Sequence, residues 1–338
     1  MMAHTTRDFE IAVLGAGSWG TALAVLLAGN GYRTLLWGHD AARMARLAHE
    51  RSNAAYLPGV SFPDNLYVRE DLAALAQECS QFLVAVPSQA FRATLEILAP
   101  HAATDAILAW ATKGMEPATG RLLSEVCDSV FGAGRRTGVI SGPTFAPEVA
   151  RGLPTALTVA AHDPSVAETI AQWLRSDHLR AYTSQDMVGV QIGGAVKNVM
   201  AIATGISDGL RLGANARAAL ITRGLAEIGR LGEALGGRPE TLMGLAGVGD
   251  LVLTCTDDQS RNRRVGLALG RGGSLRTALA QLGQVAEGVG TAREVLTLAR
   301  RLSVEMPITE QVFRVLFEGV SPQEAVEALL KREPRREQ

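Results

Sequence analysis

Three glycines within six residues, set between an apolar run and a helical one, constrain this chain more than any other feature. Gly15-Ala16-Gly17-Ser18-Trp19-Gly20 follows Ile11-Ala12-Val13-Leu14 and leads into the Ala- and Leu-rich stretch 21–28. A strand that turns through glycines into a helix leaves backbone N–H groups open at the helix start, where an anion is stabilised. In this spacing Gly15 permits the tight turn, Gly17 lets a pyrophosphate approach the backbone, and Gly20 lets the helix pack closely on the strand. The loop therefore predicts a dinucleotide site.

The rest of the chain must supply the sheet that such a loop needs. From residue 8 to about 190, short β-branched runs alternate with helical stretches, the rhythm of parallel βαβ units. Strands are expected at Ile11–Leu14, Thr34–Trp37, Phe82–Val86, Ile107–Trp110, Gly138–Ile140 and Ala156–Ala160. Beyond about 190 the period becomes helical to the end, with stops at Gly236-Gly237, Gly270 to Gly273 and Glu318-Gly319. The predicted fold is α/β: a Rossmann-type, doubly wound sheet over residues 1–190, then an all-α domain over 191–338. At 338 residues the chain exceeds what one core usually supports.

Composition excludes several classes. With 33 basic and 34 acidic residues there is no bulk attraction to nucleic acid or anionic lipid, so phosphate recognition must be local. Residues Met1 to Glu10 lack the apolar core of a signal peptide, so the chain is expected to begin without a leader. The most apolar stretch, Val188 to Ser207, carries Lys197 in its middle, which argues against membrane insertion. Cys79, Cys127 and Cys255 form no C-x-x-C pair, as in a chain that works in a reducing cytoplasm, and the six histidines form no metal pattern. No metal is expected. The charged tail from Lys331 to Gln338 is expected to fray.

Four places carry chemistry. In Gly193 to Ala203 a small-residue apolar helix holds a single cation, Lys197. Either its stem reaches along the helix to water, or it is buried; burial and a second cation favour the neutral amine, which can act as general base toward an alcohol. Lys113 ends the fourth expected strand in Ala111-Thr112-Lys113-Gly114, where open α/β sheets meet ligands, so both lysines can converge on one anionic substrate. Ser141 to Ala146, containing Gly142 and Thr144, is either another such turn or a simple Gly-Pro corner. Ser260 reads as the N-cap of a helix reaching Leu269, and Ser260-Arg261-Asn262 suits a phosphate monoester. Arg263 and Arg264 are expected to pair with Asp257 and Asp258. Asp250, after a Gly-Val-Gly turn in an apolar run, needs a cation, and Lys197 is its natural partner. At the end of the second strand, Trp37-Gly38-His39-Asp40 places Asp40 late for a ribose; His39 with Arg43 could take a 2′-phosphate, which favours NADPH over NADH. An exposed His and Arg at a helix start also need no ligand at all.

Taken together, GAGSWGTALA (from Gly15), ATKG (from Ala111), SGPTFA (from Ser141), GAVKNVMAIATGISDGL (from Gly194), LAGVGDLVLTCTDDQSRNRR (from Leu245) and VAEGVGTA (from Val285) resemble the bacterial NAD(P)-dependent glycerol-3-phosphate dehydrogenases. The resemblance spans nearly the whole chain, with Thr144 standing where many relatives have Ser. It implies Lys197 as proton acceptor, with Lys113, Gly142, Thr144, Asp250, Ser260, Arg261 and Asn262 as substrate contacts. It also implies Ser18, Trp19, His39, Lys113, Ala146, Arg261, Val285 and Glu287 as cofactor contacts. Interconversion of sn-glycerol 3-phosphate and dihydroxyacetone phosphate, supplying phospholipid synthesis in the cytoplasm, is the activity so implied, and a homodimer is compatible with it. A β-hydroxyacid dehydrogenase of the 6-phosphogluconate type resembles a K-x-x-x-N helix instead, and here Ala201 occupies the fourth place after Lys197. A non-catalytic NADPH sensor would need neither the two lysines nor the phosphate corner.

Overall fold

The computed structural model describes residues 9–117 and 119–333. The N-terminal segment to residue 8, read above as lacking a leader, and the tail from residue 334 lie outside them. The chain divides into two compact units, one of Met1–Glu116 with Arg121–Gln191 and one of Pro117–Gly120 with Ile192–Gln338.

The first unit is built on an eight-stranded sheet. Its strands are β1 (Glu10–Leu14), β2 (Arg33–Trp37), β3 (Leu66–Arg69), β4 (Gln81–Val84), β5 (Ile107–Trp110), β6 (Arg136–Ser141), β7 (Thr155–Ala160) and β8 (Leu179–Ser184). Flanking helices are α1 (Ser18–Gly29), α2 (Ala41–Glu50), α3 (Leu72–Glu78), α4 (Ser88–Leu98), α5 (Leu123–Phe131), α6 (Ala146–Ala150) and α7 (Pro164–Leu174). The spatial order β3-β2-β1-β4-β5-β6-β7-β8 contains the doubly wound Rossmann order in its first six strands. The expected α/β fold is present, and its core strands are apolar on both faces: Ile11, Ala12, Val13 and Leu14 are each fully buried.

Two departures from the sequence reading have local causes. β3 and β8 were not expected; both are edge strands whose apolar residues are interleaved with exposed ones, as in Leu179-Arg180-Ala181-Tyr182. Without burial on both faces they lack the continuous apolar run that marks the inner strands. The sheet is also not wholly parallel, because β7 pairs antiparallel to β6, with Ile140 opposite Val159. After β6 the chain makes only the five-residue α6, which packs on α1, and then re-enters the sheet from the end it left. The β7-α7-β8 unit that follows is again parallel within itself. The expected strand Phe82–Val86 stops at Val84, since Ala85 and Val86 leave the sheet to form a wall against Gly15.

The second unit is helical among its described residues. α8 (Met187–Gly209) begins in the first unit and runs on in the second, followed by α9 (Ala214–Ala234), α10 (Pro239–Leu242), a π-helical turn (Leu245–Gly249), α11 (Asp250–Thr256), α12 (Arg261–Gly270), α13 (Leu275–Leu282), α14 (Glu287–Arg301), α15 (Pro307–Phe317) and α16 (Pro322–Leu330). The Gly-Val-Gly segment expected as a turn is that π-helical coil, continuous with α11. By length and composition α8 could cross a membrane, yet 94% of its most apolar window is buried inside the protein, as in a core helix.

Glycines let α8 lie directly on its neighbours. A Cβ built on Gly205 would fall 2.2 Å from the Arg263 carbonyl oxygen, and one on Gly266 would fall 2.1 Å from that of Ile202. Gly209 and Gly270 repeat the arrangement one turn on, so α8 and α12 touch backbone to backbone. Gly193 meets the Ala246 carbonyl of the π-helical coil in the same way, at 2.4 Å. An added methyl has nowhere to go, because the obstacle is backbone rather than a movable side chain.

A second long-range tie is polar. Glu227 of α9 is 1% exposed, and its carboxylate accepts the backbone N–H groups of Ile308 (2.6 Å) and Thr309 (3.2 Å) and the Thr309 hydroxyl (3.1 Å). It thereby satisfies open donors in the first turn of α15. Burial pushes its pKa up from 4.5 to about 7, against the hydrogen bonds that favour the charged form.

Two outcomes follow. Gly266→Ala should lower the unfolding midpoint by about 5 °C or more in calorimetry, whereas Gly229→Ala, where a Cβ meets nothing within 4 Å, should not. Because Glu227 holds its proton more tightly folded than unfolded, its contribution to stability is complete below pH 4.5 and is lost as pH rises through about 7. That shift corresponds to about 3 kcal/mol. Glu227→Gln should flatten this fall when denaturation is followed from pH 5 to 8.

Candidate active site

The glycine loop has the steric character its spacing implies. Gly15 sits at φ +122°, and its Cα approaches β4's extension so closely that a Cβ would lie 2.7 Å from the Ala85 carbonyl carbon. At Gly20 a Cβ would overlap the Gly15 oxygen at 1.8 Å, so this residue is where helix α1 meets the turn. Gly17 is different: a Cβ there meets nothing within 4 Å. The open side of the loop is thus at Gly17, which is also the N-cap of α1 and is unassisted by any side-chain cap. A helix start of this kind, with no acidic residue in its first turn, fits the pyrophosphate of a dinucleotide.

Around the loop, Ser18 donates its hydroxyl to the Tyr56 carbonyl and is thereby tied to the segment between α2 and β3. Trp19 is partly buried, with an indole N–H that meets no partner among the described residues. His39 is exposed just after β2, while Asp40 is the N-cap of α2 and accepts the Arg43 backbone N–H at 3.0 Å. Arg43 itself turns inward, stacked on Tyr56 with its guanidinium 3.9 Å from the ring centre.

Elsewhere in this unit the loops after β5 and β6 meet. Thr112 anchors the first by donating to the Val86 carbonyl at 2.7 Å, and Lys113 donates from Nζ to the Gly142 carbonyl at 3.1 Å. Thr144 donates to the same oxygen at 3.2 Å. Gly142 cannot carry a side chain, since a Cβ would lie 2.8 Å from the Leu157 Cα. Ala146 begins α6 directly after this turn. Lys113, Gly142 and Thr144 therefore form one cluster.

In the second unit Lys197 is buried, 6% exposed, on the small-residue helix α8. Its Nζ donates to the Asp250 carboxylate and, at 2.9 Å, to the Thr254 hydroxyl. Asp250 has no exposed surface, and Thr254, one turn along α11, also donates to the Asp250 carbonyl at 2.7 Å. A lysine whose stem merely reached to water would not be held this way. Thr254 was not singled out from sequence, although its place four residues after Asp250 puts both on one helix face.

Ser260 caps α12, accepting the Arg263 backbone N–H at 3.2 Å. Arg261 reaches Gln284 at 3.3 Å. Asn262 is more committed than its sequence role implied: its Nδ2 donates to Asn198 Oδ1 and its Oδ1 accepts the Gly288 N–H, both at 2.9 Å. It thus links the residue after Lys197 to the start of α14, whose first residue is Glu287; Val285, just before, is 44% exposed. The pairing expected for the other arginines is half right. Arg263 bonds Asp258 at 2.9 Å but also Asp208 at 2.5 Å, whereas Arg264 is exposed and pairs with no acid among the described residues. Asp257 instead closes a turn on the Gln259 N–H.

No group of His, Cys, Asp and Glu suited to a metal occurs among the described residues. The three cysteines are free and buried, and burial pushes each thiol up to about 12, which leaves them unreactive.

Comparison with known proteins identifies the family. Residues 10–167 match the model of the NAD-dependent glycerol-3-phosphate dehydrogenase N-terminus, and residues 186–327 match that of its C-terminus. The chain is 58% identical over 327 residues to the glycerol-3-phosphate dehydrogenase [NAD(P)+] of Thioalkalivibrio sulfidiphilus, covering 97% of this chain and 98% of that protein. It is 55% identical to the Shewanella baltica enzyme of the same name over 97% of both chains. The crystal structure of glycerol-3-phosphate dehydrogenase from Coxiella burnetii superposes with a TM-score of 0.93 at 47% identity, over 96% of this chain and 99% of that one. With both of its parts matched and these identities sustained over nearly its full length, the chain belongs to the NAD(P)-dependent glycerol-3-phosphate dehydrogenase family.

Proposed function

We propose that the chain interconverts sn-glycerol 3-phosphate and dihydroxyacetone phosphate with a nicotinamide cofactor, with Lys197 as the group that takes and returns the proton. The observation that carries this reading is the buried Lys197, held at Nζ by Asp250 and Thr254. Burying a cation and its counter-ion is costly, and a hydrophobic pair of similar volume would often be as stable. A chemical use for the amine accounts for its retention.

The roles follow from what each group can donate or accept. A nicotinamide held by the glycine loop would supply the hydride chemistry that the substrate's C2 requires. As the neutral amine Lys197 removes the C2 hydroxyl proton in the oxidising direction, and as the resulting ammonium it protonates the carbonyl oxygen in the reducing one. Asp250 and Thr254 fix the amine so that little reorganisation is needed when the proton moves. Ser260 and Arg261, at the start of α12, are assigned to the substrate phosphate, where a helix N-terminus and a guanidinium fork suit a monoester. Asn262 joins them with its backbone N–H and the second N–H of its amide, the first being engaged with Asn198 while its oxygen accepts from Gly288. Lys113, Gly142 and Thr144 are assigned to the anionic ligand as well, with Lys113 its charge. Ser18, Trp19, His39, Ala146, Val285 and Glu287 are assigned to the cofactor. NADPH is the favoured form, since Asp40 is occupied as a helix cap and no other acid directly follows β2 to meet a ribose hydroxyl. Supply of glycerol 3-phosphate for phospholipid synthesis in the cytoplasm is the role we attach to this activity.

Dihydroxyacetone phosphate should drive oxidation of NADPH, and more slowly of NADH, in an absorbance assay; no oxidation of either would remove the proposal. Lys197→Ala should lower kcat by about 100-fold or more while leaving cofactor affinity near normal in a direct titration. Asp250→Asn leaves the ammonium buried without its counter-charge, so it should cost about 3 kcal/mol or more of stability as well as activity, measured by urea unfolding.

A further inference from the structure

The segment between α2 and β3 contains a residue with no exposed surface, Asn53, that no motif announced. Its Nδ2 donates to the Ala16 carbonyl at 3.1 Å and to the Thr21 hydroxyl at 2.7 Å, which commits both of its N–H bonds to the glycine loop and the helix behind it. Arg43 donates from Nη2 to the same Ala16 oxygen and to Asn53 Oδ1 at 3.4 Å. Its guanidinium lies on the Tyr56 ring, and its Nε is buried without a partner among the described residues. Tyr56 is fixed in turn, since its carbonyl accepts the Ser18 hydroxyl and its N–H donates to the Asn53 carbonyl at 3.1 Å.

Two donors therefore occupy the Ala16 carbonyl oxygen, one for each lone pair. A trans peptide is planar, so the C=O of Ala16 and the N–H of Gly17 point in opposite directions. Holding the carbonyl inward turns the Gly17 N–H outward. Gly17 is also the position where an added side chain would meet nothing within 4 Å.

From this we infer that Arg43 and Asn53 are positioning residues that aim the Gly17 N–H at the pyrophosphate of the dinucleotide, and that Arg43 is not the ligand of a 2′-phosphate. The inference rests on the cofactor reading above and corrects the part offered to Arg43 by sequence. An arginine that read the 2′-phosphate would act on NADPH alone, whereas one that shapes the pyrophosphate loop acts equally on NADPH and NADH.

Nicotinamide fluorescence titrations of the purified full chain with NADPH and with NADH separate these roles. The wild-type titrations test the cofactor reading itself; if neither dinucleotide binds, that reading and the inference both fall. Given wild-type binding, Arg43→Met should raise both dissociation constants about tenfold, with their ratio changed less than twofold. Arg43→Lys is the second variant. It keeps the charge but loses the planar fork and the stack, so it should be as impaired as Arg43→Met toward both dinucleotides. Tyr56→Phe, which keeps the ring, should bind both as the wild type does. A loss confined to NADPH in Arg43→Met, rescue of NADPH binding by Arg43→Lys, or unchanged affinity for both in Arg43→Met would each overturn the inference.

Discussion

The ion pair between Lys197 and Asp250 sets the terms for the helical unit. Two charges removed from water are tolerated only when their geometry is good and their remaining hydrogen-bonding capacity is used. Thr254 supplies the further contact to Nζ, and all three groups must arrive from two helices with little freedom to adjust. The glycines of α8 make that possible. Gly193 brings α8 against the coil that leads into Asp250, and Gly205 and Gly209 bring it against α12, which carries Ser260 to Asn262 at its start. Close backbone contact on both sides of Lys197 leaves the lysine one place to be. Asn262 extends the same tie to α14 through Asn198 and Gly288, so the residues assigned to proton transfer and to phosphate share one framework.

The sheet unit solves a different problem. An anion site made of backbone N–H groups has no side chain to hold its shape, so the shape must be imposed from behind. Gly15 and Gly20 do part of this by packing the loop onto Ala85 and onto itself. Arg43 and Asn53 do the rest by occupying the Ala16 carbonyl oxygen. The N-cap of α1 is accordingly a glycine with no side-chain bond of its own, which keeps its first-turn donors clear of a competing acceptor.

How far the sequence could be read depended on whether the physics was local. The inner strands were legible because each has a buried stretch that is mainly apolar, most completely in β1 and β5; β3 and β8, at the edges, lack one. Lys197 was conspicuous because a lone cation in an apolar helix is costly, and Asp250 because an acid in an apolar run has the same cost. Their union was legible as a charge balance. Thr254 carries no such cost, since a threonine can satisfy itself on its own helix, so nothing in the sequence marked it. Asn53 escaped for a similar reason, as an asparagine in a loop is ordinary until the loop is seen folded against Gly15 to Gly20.

What the sequence determined by itself was the set of elements and the chemistry each must accommodate. The glycine spacing required a strand, a turn and a helix; the long helical period after residue 190 required a helical unit; the isolated charges required partners. Those follow from rules that act within a few residues or from the cost of burying a charge wherever it lands. Tertiary structure alone decided which polar atoms are already spent. Arg43 and Asn262 both read as ligand contacts, and both have side chains committed to holding other elements in place. A hydrogen bond between residues distant in sequence exists only once the backbone has brought them together, so no local pattern records it.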